Sequence, residues 1–62
     1  MIITIAKVKV GTDTPLIIET EPLEFPEGTP IPDAIKKAAD TCKEKTAKLE
    51  DNNFKYIVQQ VG

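Results

Sequence analysis

The sequence predicts an α+β domain: a β-β-α-β chain forming a three-stranded mixed sheet of order 2-1-3, with one helix packed on one face. Three observations lead there. Residues 1–10 and 16–25 are rich in Ile, Val, Leu and Thr and are separated by a Gly- and Pro-containing turn. From 31 to 49 the apolar period changes to 3.6. From Phe54 a β-branched and aromatic run returns.

Strand one, 1–10, has two faces that disagree. Val8 and Val10 alternate with Lys7 and Lys9, yet carrying the alternation back puts Ile5, Ile3 and Met1 on the lysine face and Ala6, Thr4 and Ile2 on the valine face. Either a bulge near Ala6 returns every isoleucine to one core, or both faces are covered at that end. The Gly11-Thr12-Asp13-Thr14-Pro15 cluster is turn chemistry: a residue free to take positive φ, an Asp that bonds its own backbone, and a proline that fixes φ. Strand two, 16–25, carries Pro22, which cannot donate to a central ladder and so marks an edge strand or a bulge. The two strands form a hairpin.

Residues 25–32 hold three prolines and make a rigid connector. The helix is expected over 32–50, with Pro32 in the first turn and Asp33 beside the positive end of the dipole. Ile31, Ile35, Ala38, Ala39, Cys42, Thr46 and Leu49 share one stripe, and its small residues let the helix approach a sheet closely. Asp51-Asn52-Asn53 supplies a left-handed stop, and strand three spans 54–61. A crossover from strand two through the helix is right-handed as a rule, which leaves the apolar, proline-free strand one in the middle. One helix covers one face; nothing else in the sequence covers the other.

Composition narrows the chemistry. Sixty-two residues make one thin domain, 1–62, that gains from a staple. Cys42 is alone and there is no His, so no internal disulfide, structural zinc site or His-based nucleophile can be built; catalytic, metal and cofactor residues are expected to be none. Oligomerisation is the remaining staple. The net charge is -2 and every cation is a lysine, which argues against nucleic acid as a partner. No apolar run suits a membrane, and a lone thiol suits a reduced, cytoplasmic setting.

The expected binding surface is the open sheet face, with Met1, Ile3 and Ile5 joined by Ile17 and by Ile57 or Tyr56. The edge of strand three, with Lys55 as its sole charge, is open to strand addition. The helix lysines, diluted by Asp40 and Glu44, read as a solvated face, and Glu19, Glu21, Glu24 and Glu27 as solubilising charges. Cys42, on the apolar stripe, reads as a small buried residue.

The Pro26-Glu27-Gly28-Thr29 turn leading into Asp33-Ala34-Ile35, together with a last strand ending at Gly62, resembles the β-grasp sulphur-carrier and ubiquitin-like families. The resemblance implies a β-grasp-like topology. Those families carry sulphur or form an isopeptide bond through a C-terminal Gly-Gly; here Val61 stands in place of the first glycine, which implies a degenerate carrier. The expected function is a non-catalytic protein-binding module, a homodimer or a partner-binding accessory or inhibitor protein of the kind viruses and plasmids encode. The alternatives are a small-ligand, nucleotide-like binder with its pocket between copies, and the degenerate carrier.

Overall fold

The computed structural model describes every residue of the chain except Thr12 and Pro15, so two of the five residues of the expected 11–15 turn lie outside the description. Its elements are β1 (Ile2–Lys9), β2 (Leu16–Glu24), α1 (Ile31–Lys48) and β3 (Phe54–Val61). The sheet order is β2-β1-β3, as expected. Both ladders are antiparallel, so the sheet is not mixed. β2 and β3 run parallel to each other but on opposite sides of β1, and no parallel pair ever forms.

Each ladder contains one extra residue. Lys7 pairs with Glu19 and Val8 with Ile17, leaving Ile18 as a bulge in β2. Ile5 pairs with Val58 and Thr4 with Gln60, leaving Gln59 as a bulge in β3. β1 itself carries no extra residue, so the bulge near Ala6, one of the two options open from the sequence, is absent from it.

Pro26 to Thr29 is a tight turn: the Thr29 N–H and hydroxyl both donate to the Pro26 carbonyl, at 3.2 and 2.7 Å. Gly28 stands at φ 90°, the positive value this turn position demands. Pro30 precedes α1 as its N-terminal cap, its carbonyl accepting from Ala34 N–H at 3.0 Å, and Pro32 sits in the first turn, where a missing N–H costs nothing. The helix ends two residues sooner than expected. Leu49 leaves in an extended conformation (φ -73°, ψ 132°), its N–H bonded to Thr46. No non-glycine residue among those described has positive φ, so Asn52 and Asn53 do not supply a left-handed stop; Asp51 instead accepts from Asn53 N–H at 2.9 Å.

The core lies between α1 and one face of the sheet. Ile3 and Ile5 are 0% exposed and pack on Ala34, Ala38 and Cys42, with Leu23, Phe25, Tyr56 and Val58 around them. The buried helix stripe is therefore rotated from the expected one: Ile31, Ile35 and Ala39 are exposed. Alanine at positions 34 and 38 brings the backbone close to the sheet, and the isoleucines are left on the helix flank. α1 lies over β3 and β1 more than over β2.

Candidate functional site

The alternation along β1 decides which side chains share a face. Ile3 and Ile5 point to α1, and Lys7 and Lys9 follow them by period two. Ile2, Thr4, Ala6 and Val8 occupy the other face, over which no described element lies. The covered face is thus the one that carries the lysines, and the valine face is the open one. Ile3 and Ile5, expected on the open face, belong to the core beneath the helix. Met1 shares their side by the same alternation. Tyr56 pairs with Lys7 and packs against the core, again on the helix side. Of the six residues expected to bind a partner, Ile17 and Ile57 alone are on the open face.

There they are joined by residues of β1 and β2 that are not among the six. Val8 is opposed by Ile17, and the bulge adds Ile18 beside it. Ala6 pairs with Thr20 on one side and Ile57 on the other. Val8 is only 2% exposed although no layer covers it, whereas Ile17 and Ile18 are 46% and 50% exposed. The small central side chains form a floor, and larger ones rise around it. At the turn end of the sheet, Val8, Lys9, Val10, Gly11, Asp13, Lys55 and Ile57 line a half-open hollow of about 270 Å³. The signal that would have found this surface is the run Leu16-Ile17-Ile18, which no simple alternation can bury on one face.

Charge is distributed in the opposite sense. Lys7 pairs with Glu19 and Ile5 with Glu21, all on the helix side. The Lys7 ammonium stands 5.1 Å from the Phe54 ring centre. Lys45 of α1 reaches Glu21 at 3.0 Å and lies 5.4 Å from the Tyr56 ring centre. The Glu21 hydrogen bond holds the Lys45 pKa above its ordinary value, against a smaller desolvation effect. On the open face the strands contribute two charges, Lys55 beside Val8 and Glu24 beside Ile2, at opposite corners. The acidic run is therefore divided between the two faces and does not form one patch.

Both edges are blunted. Met1 and Phe25 exchange backbone bonds at 2.9 and 3.3 Å, so the alternation of the ladder makes Thr4 and Pro22 a non-bonded pair. Pro22 thus turns its ring nitrogen outward, where the strand edge loses a donor and the ladder loses nothing. On the other side, Val10–Asn53 and Ile2–Gly62 are bonded pairs, which leaves the Tyr56 N–H pointing outward. That donor is taken by Thr46 Oγ1 at 2.9 Å, while the Thr46 hydroxyl donates to the Cys42 carbonyl at 2.7 Å. The Gln59 bulge interrupts the rest of the edge. The expectation of an undefended β3 edge is corrected by these two devices.

Cys42 is buried, and burial pushes its thiol above the ordinary value, outweighing the downward pull of Lys45. A thiol on the buried side of its helix, with its pKa raised, is a packing group. Gly62 is tied into the sheet by its N–H to the Ile2 carbonyl at 3.0 Å. Among the described residues no His, Cys, Asp and Glu cluster suits a metal, and no helix is long and apolar enough to cross a membrane. The chain matches no protein-family profile, no curated protein and no solved structure.

Proposed function

We propose that this chain is a non-catalytic protein-binding module that works through the open face of its sheet. One observation carries the reading: Val8, Ile17, Ile18 and Ile57 gather on the uncovered face, while Lys7, Glu19 and Glu21 of the same strands turn toward the helix. A sheet face left to water carries the reverse pattern. Contiguous apolar surface ringed by polar residues is the mark of a contact site, and charge is depleted at the centre of such sites. The blunted edges favour contact through the face over strand addition.

The test uses a photoreactive side chain placed at Ile18 on the open face or at Lys36 on the outer side of α1. Protein adducts are expected from position 18 and not from position 36. No adduct at 18, or equal adducts at both positions, overturns the reading.

A further inference from the structure

We infer that the protein seated on the open face is a second copy of this chain, stacked sheet to sheet. The inference rests on the reading of that face as a protein-binding surface and adds the identity of the occupant.

The first argument is the size of the core. Ile3 and Ile5 are the largest side chains that are fully buried; Ala34, Ala38, Ala6, Val8 and Cys42 complete the set. A domain of 62 residues with so few large buried groups among those described, and a single thiol, is marginal on its own and gains from a partner. A partner that binds the folded state supplies stability in proportion to its availability. The copy made alongside it is the partner always at hand.

The second argument is self-complementarity. A two-fold interface presents the same patch from both sides, so any residue on the axis meets itself. With the axis along β1, Ala6 and Val8 meet their own copies, and these small, uncharged residues allow close approach. Ile17 and Ile18 from β2 then lie over Ile57 and the methylene stem of Lys55 from the other copy's β3. Lys55 and Glu24, at opposite corners, never face themselves, so no like charges are opposed. Aligned stacking of this kind is the ordinary way two sheets pack.

The area sets the strength. Rows from Ile2 to Val10 span about 27 Å and three strands span about 14 Å with their margins, a footprint of about 380 Å² on each copy, so two copies hide roughly 800 Å². That lies below the size of a stable interface and corresponds to a weak, reversible dimer that forms only at high concentration.

Light scattering on the full chain, from about 1 µM to about 1 mM, spans the range in which such an interface forms. The mass is expected to climb from the 6.8 kDa of one chain toward twice that value. Ile17→Lys and Ile18→Lys are expected to weaken the dimer at least 100-fold while circular dichroism is unchanged, and Val61→Lys, on the helix side of the β3 edge, is expected to leave it intact. A chain that stays at single mass throughout, while the photoreactive group at 18 joins a different protein, removes the second copy and leaves the open-face reading standing. A dimer that survives both isoleucine changes but is lost with Val61→Lys places the contact at the edge and removes both. Should the lysine variants unfold, the adduct from position 18 decides: twice the chain mass supports the dimer, and any other mass, or no adduct, overturns it.

Discussion

Ile5 and Val8 stand three residues apart on the same strand, and both are hidden from water by different means. Ile5 lies beneath Ala38 and Cys42 of the helix. Val8 faces the other way and is hidden by the side chains of its own sheet, with Ile17, Ile18 and Ile57 nearby. The first kind of burial is complete within one chain, because a second layer removes the surrounding surface from water as well. The second is incomplete, because the groups that shelter Val8 are themselves half exposed. One strand can therefore serve a finished core at one end and an unfinished one at the other.

The sharpest way to break that contrast is to truncate both sides. Ile5→Ala removes a fully enclosed side chain and is expected to cost about 2–5 kcal/mol in denaturant unfolding. A loss below about 1 kcal/mol would mean that the helix does not enclose this site. Thr46→Val comes next. It removes the acceptor of the Tyr56 N–H at almost constant shape, so urea unfolding should show a loss of about 1 kcal/mol. Slower exchange of the Tyr56 amide in the variant than in the parent would contradict the assigned bond.

Ile18→Thr tests the open side. In dilute solution its effect on unfolding should stay within about 0.5 kcal/mol, as for surface positions generally. At high concentration, where two copies associate, the loss should grow. Equal losses at both concentrations would mean that Ile18 is buried within the single chain.

The smallest effect belongs to Lys45. Its folded pKa is raised above the ordinary 10.5 by Glu21, so its contribution is fully present below that pH and is lost as the pH climbs through the folded value. The difference in melting temperature between the parent and Lys45→Gln should therefore shrink above about pH 10.5 and, because the pair is exposed, also with added salt. A difference that persists at pH 12 and in high salt would assign the effect to packing of the lysine stem.

Element order and the central place of β1 were legible, because strand, turn and helix signals rarely overlap in this chain. The face of each strand was not. β1 is apolar on both sides, in different halves, and period-two reasoning cannot say which half meets the helix. The helix wheel compounded this by weighting Ile31 and Ile35 over Ala34, although the smaller residue is the one that lets the backbones close. The bulges at Ile18 and Gln59 also went unread: neither has a glycine beside it to mark it. For the site, this parity error exchanged Ile3 and Ile5 for Val8 and Ile18, while Ile17 and Ile57 kept their place.

The placement of Tyr56 has a practical consequence. It is the only tyrosine, and the sequence has no tryptophan, so the near-ultraviolet emission of the protein comes from this ring. The ring lies on the helix side, beside the Lys45 ammonium. Intrinsic fluorescence will follow the loss of the core during unfolding but remain nearly silent when something settles on the opposite side of the sheet. An optical titration of that surface needs its own reporter, and a tryptophan at Ile57 would put one where the native chromophore cannot see.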